Sequence, residues 1–260
     1  MMNLASYLVS GIATVASTPE GFLTETVVSD SFETSNSAPG SKFDLNSWYI
    51  QLPYSSSGSY TSGDASSVKQ PELNTFSKDN IFWLDSNGLM VMKTPVKGVT
   101  TGGSVHPRTE LREVYGSNHH WDCNDGKTHT MEVSATVTHV AAVTARVVTM
   151  QVFDEVDSHM WEVFASKDKG LYGYHFSPDG SHVTKTIDSN WSSGHEYTLK
   201  TVIHNGHMDV YYNGSLNQSF SVQGKQLYFK AGDYCQSDQS VDPSTDYCEV
   251  KISKLIVSHK

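Results

Sequence analysis

Only three arginines occur in this chain, and two of them stand four apart in the stretch His106-Pro107-Arg108-Thr109-Glu110-Leu111-Arg112-Glu113. Guanidinium groups grip carboxylates in a planar, two-pronged way, and a Glu between two of them can hold both in place. On a strand, alternate side chains share a face, so Arg108, Glu110 and Arg112 would project together while Thr109, Leu111 and Glu113 point the other way. Such a row is either a carboxylate grip or an exposed ladder of salt bridges, which is worth little energetically. A second stretch with chemical content runs Leu227-Tyr228-Phe229-Lys230-Ala231-Gly232-Asp233-Tyr234-Cys235-Gln236. Tyr228, Lys230, Gly232, Tyr234 and Gln236 fall on one face there, and the glycine leaves a gap for a ligand to approach the backbone. An edge strand protected by Lys has a similar look.

The elements that must hold these rows repeat every two residues, not every 3.6. Met131, Val133, Ala135 and Val137 alternate with Glu132, Ser134, Thr136 and Thr138, and the run Arg146 to Phe153 is β-branched and strand-like. Asn205-Gly206 predicts a hairpin joining Tyr197–His204 to His207–Tyr212, and Asn213-Gly214 returns the chain again. The stretch Glu249 to Val257 reads as a closing strand. Many short strands with turn signals between them predict an all-β fold, an antiparallel two-sheet sandwich of jelly-roll type with a concave groove for an extended polymer.

The balance of charge narrows the partners. With 18 Lys+Arg against 28 Asp+Glu and a net charge of −10, the chain lacks the basic footprint that nucleic acid needs. If the ligand is an acidic polymer, a small basic cleft must stand out against a negative exterior, and the arginine pair is where to look for it. Residues 1–17 carry no charge and hold an apolar run from Leu4 to Ala16, too short to span a bilayer, which suits a secretory leader. A Ser/Thr/Pro/Gly-rich linker follows over 18–41, and one catalytic or binding domain is expected over 42–260. Three glycosylation sequons, at Asn190, Asn213 and Asn217, fit a secreted, extracellular chain. Cys235 and Cys248 bracket a polar loop that a disulfide would pin, leaving Cys123 over, and no pair has zinc-type spacing, so neither metal nor cofactor is expected. A monomer is expected, with no membrane partner.

The two stretches together resemble motifs of the alginate lyases of polysaccharide lyase family 7. Arg108 to Arg112 matches an R-[ST]-E-L-R motif, Tyr228 to Gln236 a Y-F-K-A-G-x-Y-x-Q motif, and Gln151-Val152-Phe153 two of the three positions of Q-[IV]-H. The resemblance also takes in Phe43 to Trp48 with Gln51-Leu52-Pro53, and Pro95 to Thr101, so it extends from about residue 42 to the end. It implies a β-jelly-roll and β-elimination at a 4-linked uronate, in which a proton leaves C5, the C4–O4 bond breaks and an unsaturated sugar end forms. The substrate carboxylate must first be neutralised or held as its protonated form, because an ionised carboxylate leaves the C5 proton hardly acidic. By resemblance Arg108 and Gln151 take that part, Glu110 and Arg112 fix the row and the neighbouring sugar, and Lys230 binds carboxylate, with Tyr228 and Gln236 completing the substrate set. Tyr234 donates a proton to the leaving O4 and is also a candidate base.

Where the family has His, this chain has Phe153, which cannot carry a proton. The family His serves as base when the C5 proton and O4 lie on opposite sides, the guluronate case. When they lie on the same side, the mannuronate case, one Tyr can do both jobs. The expectation is therefore an endo-acting lyase preferring mannuronate blocks, unless His106, two before Arg108, or His119 or His120 fills the vacancy. Two other readings stand beside it. Glu155, Asp157 and Glu162 superficially resemble the carboxylates of laminarinase-type hydrolases, although an unbroken strand would turn Glu162 away from Glu155. A carbohydrate-binding module that has lost catalysis would keep the charged groove and tolerate Phe153.

Overall fold

A computed structural model of the protein describes residues 37–260 other than 118, 157 and 178. The expected leader lies outside the described residues, as does the linker up to residue 36. Residues ahead of 42 also contact the fold: Leu84 donates its backbone N–H to the carbonyl of Ser37, and Pro39 is buried in a short 3-10 turn over Pro39–Ser41.

Two antiparallel sheets pack face to face. One has eight strands in the order β10(His182–Asp188), β9(Gly170–Phe176), β8(Ser158–Ser166), β7(Arg146–Asp154), β14(Leu227–Cys235), β5(Arg108–Glu113), β1(Trp48–Ser55) and β2(Ala65–Val68). The other has seven, in the order β13(Ser215–Ser221), β12(His207–Tyr212), β11(Tyr197–His204), β6(Thr128–His139), β15(Tyr247–His259), β4(Met90–Pro95) and β3(Phe82–Leu84). The strands form where the alternation demands them, because Met131, Val133, Ala135 and Val137 of β6 all enter the shared core. Both Asn-Gly pairs adopt the positive φ angles of a tight hairpin, 48° and 70° at Asn205-Gly206 and 48° and 83° at Asn213-Gly214. Between the sheets, Tyr197 donates its hydroxyl to Thr149 at 2.8 Å and Thr94 donates to the carbonyl of Asp233 at 3.0 Å, so the sandwich is joined by hydrogen bonds as well as by packing.

Cys235 on the first sheet and Cys248 on the second meet across this core with their sulfurs 3.2 Å apart, as buried thiols in contact rather than the expected disulfide. The loop between them is pinned by carboxylates instead. Asp242 accepts the backbone N–H groups of Val143 and Thr144 and the hydroxyls of Thr144 and Ser237, while Asp246 accepts from the N–H of Ala142 and bonds His139.

The strands that carry the two rows are neighbours in the middle of the eight-stranded sheet. β14 lies between β5 and β7, pairing Lys230 with Arg112, Gly232 with Glu110 and Tyr234 with Arg108 on one side, and Lys230 with Gln151 and Tyr228 with Phe153 on the other. Its Leu227, Phe229, Ala231 and Cys235 are in the core, which leaves Tyr228, Lys230 and Tyr234 on the outer face.

Candidate active site

The outer face of β14, β5 and β7 is organised around one carboxylate. Glu110 is fully buried and accepts from Arg108 Nη1 at 2.7 Å, from Lys230 Nζ at 3.0 Å and, on its other oxygen, from Gln151 Nε2. Burial alone would push its carboxyl up, but Lys230 and Arg108 outweigh that and hold it below the usual carboxylate range. Lys230 moves the other way. Burial, helped by Arg108 and Arg112, overcomes the attraction of Glu110 and brings its ammonium down to about 8.

Each arginine of the row lies on a tyrosine. The Arg108 guanidinium carbon sits 3.8 Å from the Tyr234 ring centroid, and that of Arg112 sits 3.9 Å from the Tyr228 ring. Arg112 also donates to Glu155 at 2.6 Å, and Arg108 donates from Nη2 to Ser104 at 2.9 Å. Ser104 in turn lies 3.1 Å from the Tyr234 hydroxyl. A cavity of about 340 Å³ opens over these groups, lined by Arg108, Arg112, Lys230, Tyr228, Tyr234 and Phe153 among others. Three cations against one carboxylate, Glu155, line this cavity, a small basic cleft in a chain with net charge −10. A neighbouring cavity of about 560 Å³ shares Gln51, Thr101 and Arg112 with it and extends past Tyr49, Lys69 and His120.

Several expectations need correction. Glu110, expected against the sugar, lies fully buried beneath the row and accepts from three protein donors. Gln151 spends its amide nitrogen on Glu110 and is likewise buried and absent from the cavity wall, its Oε1 without a hydrogen-bond partner. Gln236 follows the end of β14, donates to the Tyr234 carbonyl at 3.4 Å and lines neither cavity. The gap at Gly232 faces protein: the space a side chain would take there is occupied by Met92 Sδ and the Thr109 carbonyl, and β14 shifts register against β7 between Ala231 and Tyr234.

His106 is not in the row, because Pro107 precedes the first strand residue and the alternation does not reach past it. Its ring stands 6.4 Å from that of Tyr234 and its Nδ1 is 3.9 Å from Asp238. Burial lowers its pKa, with Asp238 opposing and Arg146 and Arg108 adding to the effect. His120 lies at the other end of the row, 5.9 Å from the Tyr228 ring and 3.6 Å from Glu155, and with His119 lines the larger cavity. Phe153 packs 5.3 Å from the Tyr228 ring, with Lys230 Nζ 5.5 Å from its own centroid, so an aromatic hydrocarbon fills the family's histidine position. Glu155 lies in the turn after β7 and not on a strand with Glu162, which occupies β8 opposite Gln151; Asp157 is outside the described residues.

Ser104 and Gln51 were not singled out from the sequence. Gln51 pairs with Glu110 across β1 and β5, lines both cavities and has an Oε1 without a hydrogen-bond partner. Its signals were the Gln51-Leu52-Pro53 stretch of the family resemblance and the alternation of Tyr49 and Gln51 on β1. Ser104 sits in the loop before β5, where no period applies.

Comparison with known proteins agrees with this geometry. A family model described as alginate lyase matches residues 43–259. A curated alginate lyase of Klebsiella pneumoniae is 24% identical, over 85% of this chain and 91% of its own length. Among solved structures, an alginate lyase from Corynebacterium sp. superposes with a TM-score of 0.76 at 30% identity, covering 86% of this chain and 99% of that one. An alginate lyase of polysaccharide lyase family 7 superposes with a TM-score of 0.74 at 31% identity, over 86% and 99%. With the whole sandwich matched and the row of Arg108, Glu110, Arg112, Lys230 and Tyr234 assembled on its outer face, the chain belongs to the alginate lyases of polysaccharide lyase family 7.

Proposed function

We propose that this lyase acts within alginate chains, prefers mannuronate blocks and uses Tyr234 as both base and acid. The observation that carries the reading is the pairing of Phe153, in the histidine position, with Tyr234 on the cavity wall under the Arg108 guanidinium. Arg108, Arg112 and Lys230 neutralise the uronate carboxylate, so that negative charge developing at C5 spreads onto a group already held by cations. Glu110 is the residue that positions two of them, together with Gln151. In mannuronate the C5 proton and O4 lie on one side of the ring, within reach of a single phenolic oxygen. In guluronate they do not, and no phenylalanine can take the second part. An extracellular, monomeric enzyme fits a polymeric substrate, with residues 1–17 as its leader.

The test compares initial rates of unsaturated product, read by ultraviolet absorbance, on polymannuronate and polyguluronate. Faster cleavage of polymannuronate is expected, with Tyr234→Phe lowering it by roughly 10²–10⁴-fold, the usual share of acid–base catalysis. Faster cleavage of polyguluronate would sink the preference. His106 supports a second reading as base, because its lowered pKa keeps the ring neutral near pH 7 and it stands beside Tyr234. In that case His106→Ala would lose activity on both polymers to the same degree as Tyr234→Phe.

A further inference from the structure

We infer that Ser104 is the positioning residue for the proton of Tyr234; the inference rests on the reading of Tyr234 given above. Ser104 Oγ makes four polar contacts, the longest of them from the backbone N–H of His106 at 3.4 Å, and the chemistry of its partners limits which way its proton points. The Arg108 guanidinium is a donor only, so at 2.9 Å the serine oxygen accepts. The carbonyl of His106 is an acceptor only, so at 3.0 Å the single serine proton is donated there. With the serine proton on that carbonyl, the contact to Tyr234 at 3.1 Å has the phenol donating to Ser104, in competition with the longer contact from the His106 N–H.

When Tyr234 is ionised, rotation of the serine hydroxyl reverses that contact, and Ser104 donates to the phenolate. In both states Ser104 holds one side of the phenolic oxygen on the wall of the cavity that both residues line. The phenolate takes the C5 proton, the C5–H electron pair becomes the C4–C5 double bond, and the C4–O4 bond breaks with its pair on O4. The same proton then passes from Tyr234 to O4, and the phenolate is restored. Ser104 exchanges no proton with the substrate. It keeps the oxygen that does so anchored between Arg108 and the loop that ends at Pro107.

The experiment combines Ser104→Ala, Ser104→Thr and Tyr234→Phe, with kcat and KM measured on polymannuronate and thermal melting as a check on folding. Ser104→Ala should lower kcat about tenfold to a hundredfold, the scale of losses from misplacing a reacting group, with little change in KM. Threonine, which keeps the hydroxyl, should restore most of it. In the residual activity of Tyr234→Phe, adding Ser104→Ala should cost nothing further, because residues acting as a unit are not additive. The inference is overturned if Ser104→Ala keeps the parent kcat while Tyr234→Phe is inactive. It is equally overturned if the serine change costs the same factor with and without the tyrosine. Full activity in Tyr234→Phe would instead remove the reading of Tyr234 on which it stands.

Discussion

At the scale of the residue, the cleft contains two kinds of cation. Two are guanidiniums, Arg108 and Arg112, and the third is the Lys230 ammonium, which burial and the two guanidiniums bring down to about 8. Its charge is present below pH 8 and lost above it, so the cleft weakens toward its anionic substrate on the alkaline side. A charge-assisted contact to a carboxylate is worth about 1.5–3 kcal/mol, so KM for alginate should rise about tenfold or more between pH 7 and pH 10. Lys230→Arg should flatten that rise, and an unchanged alkaline limb in this variant would show that another group is titrating. The sequence placed Lys230 on the right face by alternation alone. It did not reveal that Lys230, Arg108 and Gln151 converge on Glu110, because alternation says which face a side chain takes and nothing about its reach across a neighbouring strand.

At the scale of the element, the central strand β14 depends on its one glycine. Gly232 has φ +145°, a region other residues rarely adopt, and a methyl group there would lie 2.6 Å from Met92 Sδ and 2.8 Å from the Thr109 carbonyl oxygen. Gly232→Ala should therefore cost more than about 2 kcal/mol, through backbone strain and overpacking together. Urea unfolding would measure it, and a loss under about 0.5 kcal/mol, the range of ordinary surface substitutions, would contradict the account. The hairpins at Asn205-Gly206 and Asn213-Gly214 were legible to the residue, since each needs only a local pair with positive φ. The register shift of β14 against β7 was not, because it is set by the strand alongside.

At the scale of the whole molecule, a chain of polar groups running from exposed Asp125 to buried His129 and Glu113 ties the start of β6 to the end of β15 beneath the groove sheet. Asp125 bonds His129 Nε2 at 3.0 Å, the Nδ1 atoms of His129 and His259 are 2.7 Å apart, and His259 Nε2 meets Glu113 at 2.6 Å. Glu113 also accepts from Trp121 and from the backbone N–H of Phe229 on β14, each at 3.0 Å. Three contacts among four ring nitrogens require three protons, so a fourth would set two N–H groups against each other. Burial lowers the His129 pKa against the pull of Asp125. A histidine depressed in the folded state contributes stability that is present above its unfolded value of roughly 6.5 and lost as pH falls through the folded value. Chemical denaturation should therefore show stability falling as pH drops below about 6.5, ahead of any loss from protonating Glu110, and His129→Gln should shallow that slope. A slope unchanged by the substitution would assign the acid loss elsewhere.

The sequence by itself determined the period of two, the turns, the face each motif residue takes and the family to which those motifs point, because each of these is written in neighbours a few positions apart. Tertiary structure alone decided that Glu110 is a buried hub, that His106 stands beside Tyr234, and that Ser104 reaches the Tyr234 hydroxyl from a loop. Those outcomes depend on which strands lie side by side and on the hydrogen-bonding capacity left over when they do, and no local spacing encodes either one.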